Sequence, residues 1–282
     1  MRIGFIGAGR VGNTLGKYLT EHGKDVSGYY SRNPEHAKEA ARFTDTMYFS
    51  NVSDLIKESD AVFLTVSDNA IKLCFDEIKA LPCISEKIVC HTSGATSSRV
   101  FDDTPFQVYG YSVHPIYAVS DKYTAYKSFS NAFITIEGNE KYLSELVTFF
   151  KSTGLETGTI STDSKVKYHA SAVFASNLVC GIYGTAVRLM TECGFDEETA
   201  ASSLKGLFLD NATGLAEKGP INQLTGPIDR NDTQTVLNHI ASLSKEDADI
   251  YKLLSLETLK IAKQKNIETD YSEMENILKN GG

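Results

Sequence analysis

Arg2-Ile3-Gly4-Phe5-Ile6-Gly7-Ala8-Gly9-Arg10-Val11-Gly12 opens the chain, a short apolar run that passes directly into glycines at GxGxxG spacing. The spacing alone is a weak signal. The apolar run before it and the amphipathic stretch Val11 to Leu19 behind it supply the strand and helix that its mechanics require. Gly7 permits a tight turn, Gly9 lets the backbone approach a pyrophosphate, and Gly12 lets the helix pack closely on the strand. The helix N-terminus adds unpaired N–H groups. Gly7, Ala8, Gly9, Arg10, Val11 and Gly12 are therefore predicted to cradle the phosphates of a dinucleotide.

Outward from this stretch, short β-branched runs alternate with amphipathic segments. Strands are predicted at 2–6, 25–30, 61–66, 87–91, 107–113, 132–136 and 156–160, with helices between them, the βαβ pattern of a parallel sheet. The fold class is α/β: an N-terminal Rossmann dinucleotide-binding domain over residues 1–160, then an all-α domain over 161–282. Thr162-Asp163 reads as the N-cap of a spine helix running from Ser164 to about Cys193. Gly194, Gly219-Pro220 and Gly226-Pro227 mark breaks in the helical half.

The 282 residues suffice for two packed domains. With 28 basic against 36 acidic residues the net charge is −8, so no global field draws the chain to nucleic acid or to an anionic membrane. No run approaches the roughly 20 continuous apolar residues of a membrane span. The N-terminus lacks the features of a signal peptide. Five cysteines without a CxxC pair suit reduced thiols. A cytoplasmic protein with no metal site is expected.

The end of the second predicted strand decides the cofactor. An Asp or Glu there would grip the ribose hydroxyls of NAD. This chain instead has Tyr29-Tyr30-Ser31-Arg32-Asn33, and Ser31, Arg32 and Asn33 suit a 2′-phosphate, pointing to NADP(H). Val66, which ends the third strand, and Ser67, which follows it, are candidate cofactor contacts, with Ser67 or Asp68 equally able to cap the next helix. His91-Thr92-Ser93-Gly94 and Ser112-Val113-His114-Pro115 follow the fourth and fifth strands at the edge where such folds hold ligands. Ser93 and His114 are candidate substrate or cofactor residues; His91 reads equally well as a structural histidine.

On the spine helix, Lys165, His169, Ala172 and Ser176 fall on one narrow stripe with Asn177 at its margin. Lys165 or His169 would supply the proton, with His114 and Asn177 completing the catalytic set and Ser93 and Ser176 bonding the polar end of a substrate. Arg230, in Leu224-Thr225-Gly226-Pro227-Ile228-Asp229-Arg230-Asn231-Asp232, is a candidate carboxylate clamp from its own or a partner subunit, and Asp232 a helix cap.

GAGRVG, HTSG, SVHPI, KVKYHASAVFASN and LTGPIDRND, in that order, resemble Rossmann-like NADP-dependent oxidoreductases with a DUF2520 C-terminal domain, in the 6-phosphogluconate dehydrogenase-like superfamily. That resemblance implies an N-terminal NADP-binding domain and a homodimer built on the helical half. Some relatives are assigned as alternative ketopantoate reductases, which would place the chain in pantothenate biosynthesis. Unlike 3-hydroxyisobutyrate dehydrogenases, this chain places Tyr168-His169 after Lys165 and Asn177 much later. The expected activity is reduction of a small 2-oxo acid by NADPH. The alternatives are a cyclic-imine reductase of the pyrroline-5-carboxylate reductase type and a non-catalytic NADP-sensing module.

Overall fold

A computed structural model describes residues 1–280. In chain order the elements are β1 (Ile3–Ile6), α1 (Arg10–Glu21), β2 (Val26–Tyr30), α2 (Pro34–Thr44), β3 (Met47–Tyr48), α3 (Val52–Lys57), β4 (Ala61–Leu64), α4 (Asp68–Ile78), β5 (Ile88–His91), β6 (Tyr109–Ile116), β7 (Phe133–Gly138), α5 (Leu143–Lys151), β8 (Glu156–Thr159), α6 (Lys165–Ala175), α7 (Asn177–Glu192), α8 (Glu197–Gln223), α9 (Thr233–Ser242), α10 (Lys245–Lys265) and α11 (Ser272–Asn280). The strands form one sheet in the order β3-β2-β1-β4-β5-β6-β7-β8. Every neighbouring pair is parallel except β6 with β7.

Side chains alternate across the sheet as strand geometry demands. Ile3, Phe5, Ala61, Phe63, Ile88 and Cys90 enter one buried cluster. Ile6, Val62, Leu64 and Val89 enter another on the opposite face. Both faces are thus covered, as a parallel sheet requires.

The chain divides into two compact units, Met1–Ser176 and Asn177–Gly282. The division falls beyond the boundary expected near residue 160, so the helix bearing Lys165 belongs to the sheet-containing unit. Three expectations need correction. The two-residue β3 is too short to signal itself in the sequence. β6 runs on to Ile116 instead of ending at Val113, because β7 pairs with it as far as Ile116↔Phe133. The single spine helix is two helices, broken where Ser176 takes φ −133° and ψ −80° and its Oγ donates back to Ala172 O at 2.6 Å.

By length and composition the stretch Thr162–Glu192 is apolar enough to cross a membrane, although polar residues interrupt it too often for a continuous apolar run. The break at Ser176 leaves helices of 11 and 16 residues, each short of the roughly 20 a span needs.

In the second unit α8 contains a kink at Gly219, whose φ is 73°. Asp232 caps α9 as expected, accepting from Thr235 N at 3.0 Å. Val236, Leu259, Tyr271 and Met274 belong to its core.

Gly28 in β2 tests how tightly the sheet edge is built. Its φ is +139°, and an added Cβ would lie 1.9 Å from Met47 O. Gly28→Ala is expected to cost about 3 kcal/mol through backbone strain and loss of β3, measured by denaturant unfolding; an unchanged midpoint would show that β3 yields freely.

Candidate functional site

The parallel ladders align four strand ends. Ile6 pairs with Leu64, Leu64 with His91, and His91 with Ser112. The residues just beyond this row therefore emerge at one edge of the sheet.

The glycine loop leaves that edge first. Gly7 has φ +105°, and a Cβ there would meet Thr65 backbone at 2.9 Å. Gly12 is pressed on Thr65 Oγ1 and on Gly7 O, which would lie 2.5 and 2.9 Å from an added Cβ. At Gly9 the nearest atom to an added Cβ is Thr65 O at 3.7 Å, leaving the outer side open. The turn is locked from within: Thr65 Oγ1 donates to Gly7 O at 2.8 Å, and Asn13 Nδ2 donates to Ala8 O and Gly9 O, each at 2.8 Å. Neither Thr65 nor Asn13 belongs to the glycine spacing, so the motif gives no hint of their part. Arg10 and Val11 begin α1, Arg10 being exposed.

A cavity of about 290 Å³ continues from Gly7 past Ser31, Arg32, Asn33 and Val66, bringing together four residues assigned separately to the cofactor. Asn33 Oδ1 is engaged as the N-cap of α2, accepting from Glu35 N. Ser67 is the N-cap residue of α4 without a side-chain capping bond. Arg32 is ion-paired with Glu77 on α4, an acid too far from the fingerprint in sequence to be expected beside it. Both side chains are exposed, so the pair is worth at most about 1 kcal/mol. Cys74 also lines this cavity, and burial pushes its thiol up to about 11, which keeps it un-ionised.

A second group of polar residues gathers at β5, β6 and α6. Lys165 is 1% exposed and donates through Nζ to Ser112 Oγ at 2.6 Å. Ser112 Oγ donates in turn to Ser93 O at 3.1 Å. Burial pulls the Lys165 amine down to about 8, with Glu137 and then Asp68 opposing that fall. It is mostly ammonium at neutral pH.

His114 Nδ1 lies 2.7 Å from the Tyr168 hydroxyl. Burial first, then the Lys165 charge and His169, pulls His114 down to about 4, so its ring is neutral at neutral pH. Tyr168, one turn along from Lys165, packs its ring 5.2 Å from Nζ. The His114 and His169 rings are 6.2 Å apart and meet over Gly94. A Cβ on Gly94 would lie 2.5 Å from His169 Nδ1 and 2.9 Å from His114 Nε2. His169 Nδ1 is buried without a hydrogen-bond partner.

Not every candidate joins this group. Ser93 is buried and its Oγ accepts from Ala95 N and Thr96 N, holding the turn that presents Gly94. His91 accepts from Ser93 N at 3.2 Å and burial pulls it down to about 3. Ser176 ends α6 and is exposed. Asn177 and Arg230 lie in the second unit, both exposed. Asp229 beside Arg230 anchors its own turn, pairing with Lys265 at 2.9 Å. Tyr168, Ser112 and Gly94 stand inside the quoted motifs, yet their roles come only from the packing. Among the described residues no cluster of three or more His, Cys, Asp and Glu could hold a metal ion.

The cradle makes a direct prediction. Gly12→Ala forces its methyl against Thr65 Oγ1 and Gly7 O and is expected to weaken dinucleotide binding at least about tenfold by calorimetry. Undiminished affinity would remove the loop from the site.

Two family models match parts of this chain. Residues 2–90 match the family described as NADP oxidoreductase coenzyme F420-dependent, and residues 132–258 match the domain of unknown function DUF2520. No curated protein matches the chain in sequence. The solved structure of protein TM1727 from Thermotoga maritima is 21% identical with a TM-score of 0.76, covering 94% of this chain and 99% of that one. BF3122 from Bacteroides fragilis, described only provisionally as an NADP oxidoreductase, is 21% identical with a TM-score of 0.73, over 92% and 98% of the two chains. A pyrroline-5-carboxylate reductase from Coxiella burnetii is 15% identical with a TM-score of 0.59, over 93% and 97%. Two family models thus match separate parts of the chain, one described as an NADP oxidoreductase and one as the DUF2520 domain.

Proposed function

We propose that the chain is an NADPH-dependent reductase of a small 2-oxo acid, with ketopantoate the first substrate to test. The observation that carries this reading is the meeting of His114 and His169 over Gly94, beside a buried ammonium and on the sheet edge that carries the glycine cradle. The bare outer side of Gly9 and the cavity ending at Arg32 fit a dinucleotide with a 2′-phosphate. When bound, that cofactor supplies the hydride.

The protein's part is positioning and proton delivery. With the Tyr168 hydroxyl donating to His114 Nδ1, His114 carries its ring proton on Nε2 and offers it to the substrate oxygen over Gly94. His169 hands a proton to that oxygen as it becomes an alkoxide, and the Lys165 ammonium stabilises the developing charge. This assigns the proton to His169 and the field to Lys165, whose Nζ is committed to Ser112.

The helical unit exposes Leu207, Leu209, Leu215 and Leu253, and a groove of about 410 Å³ runs past Ile182 and Phe208. That much uncovered apolar surface supports a homodimer built on this unit. The fold likeness to a pyrroline-5-carboxylate reductase makes a cyclic imine the second substrate class.

The test follows oxidation of NADPH with ketopantoate, pyrroline-5-carboxylate and simple 2-oxo acids, with NADH as control and oxidised coenzyme F420 as a further acceptor. Rapid turnover with one 2-oxo acid supports the proposal; turnover of the imine alone transfers the site to the second class. Cofactor binding without any turnover favours a sensor. Arg32→Ala is expected to lower NADPH affinity about tenfold and leave NADH little changed, whereas Glu77→Gln raises NADPH affinity. Equal effects on both nucleotides would detach Arg32 from the 2′-phosphate.

The rate should also report Lys165. Its amine holds its proton below about 8 and loses it above, so reduction is expected to decline as pH rises through that value. Lys165→Met should lower kcat/KM about 100-fold and abolish this limb; an unchanged limb would assign it to another group.

A further inference from the structure

Glu137 is fully buried, yet it lies on neither the dinucleotide cradle nor the pair of rings over Gly94. Each of its oxygens accepts a hydrogen bond. Ser98 N donates to Oε1 at 2.8 Å, Ser98 Oγ to Oε2 at 2.7 Å, and Thr162 Oγ1 to Oε2 at 3.0 Å. Ser98 follows the turn that presents Gly94, and Thr162 precedes α6 by three residues. One carboxylate thus ties both flanking segments to β7.

Its register places it next to the buried amine. Glu137 stands directly opposite Ser112 in the antiparallel β6–β7 ladder, where facing side chains share one side of the sheet with Cβ atoms about 5 Å apart. Ser112 Oγ is the atom that receives the Lys165 ammonium. An isolated buried cation is unstable without a partner charge. The neighbours from every packed element narrow the choice: His91 on β5, His114 on β6, Tyr168 and His169 on α6, and Asp68 at the start of α4. None of the rings carries negative charge at neutral pH, and Asp68 is exposed and screened by water.

We propose that Glu137 is a positioning residue for Lys165: it is the fixed buried counter-charge that keeps the amine cationic and, through Ser98 and Thr162, holds the Gly94 turn and the start of α6 in register. The inference rests on Lys165 belonging to the site, but its test needs no substrate.

The Lys165 Cε resonance, assigned by its loss in Lys165→Met, is followed by carbon NMR through a pH titration of the full chain. In the native protein the midpoint lies near 8. Glu137→Gln preserves shape and removes the charge, and is expected to lower the midpoint by about one unit. Asp68→Asn should lower it less. Thr162→Val, which keeps the charge, should leave it near its native value.

A Lys165 midpoint unmoved in folded Glu137→Gln overturns the proposal. If that variant does not fold, Glu137→Asp decides, because it keeps a carboxylate but withdraws it by one methylene from the amine. The Lys165 midpoint should then fall by a fraction of a unit; no fall overturns the proposal. Because these readouts involve no turnover, they stand or fall separately from the assignment of a substrate.

Discussion

Parallel hydrogen-bond ladders bring Ile6, Leu64, His91 and Ser112 into one row, and everything proposed for the site depends on that alignment. A strand rises about 3.3 Å per residue, so groups one or two residues beyond the row stand within a few ångströms of a common edge. The first residues of the glycine loop, Thr65, Ser93 and His114 are such groups, and Gly94 follows Ser93. The antiparallel β7 then adds Thr135 and Glu137 opposite His114 and Ser112, converting the end of a parallel sheet into a polar face on which α6 rests.

The electrostatics follow from covering that face. Lys165 is almost wholly removed from water, which lowers its proton affinity, while the carboxylate across the ladder opposes the fall. The same burial leaves His91 and His114 neutral. The Lys165 cation beside the neutral His91 and His114 rings is a field suited to a developing alkoxide, because dipoles fixed before reaction need no reorganisation during it. The Arg32–Glu77 pair at the other end of the edge is the opposite case: exposed and weak.

Much of this is legible in the sequence because it is local. The glycine turn is encoded in six consecutive residues, and Ser31, Arg32 and Asn33 end the strand beside it. Lys165 and His169 are one helical turn apart, so periodicity alone puts them on one stripe. What the sequence hides is long-range. Glu137 gains its meaning from Ser98, Ser112 and Thr162, and Glu77 from Arg32, through pairings that no spacing reveals. The spine helix fails for a local reason, since a residue as ordinary as Ser176 gives no sign that it will leave helical geometry. The stripe likewise runs from buried Lys165 to exposed Ser176 within this chain, a gradient that depends on packing.

The most direct measurement is a crystal structure of the protein saturated with NADPH. The pyrophosphate is expected on the Gly7 to Gly12 loop, the 2′-phosphate against Arg32 and the nicotinamide ring beside Gly94, with one face open toward His114 and His169. A nicotinamide ring directed away from Gly94, with the phosphates still on the loop, would contradict the proposed chemistry while leaving the dinucleotide fold intact.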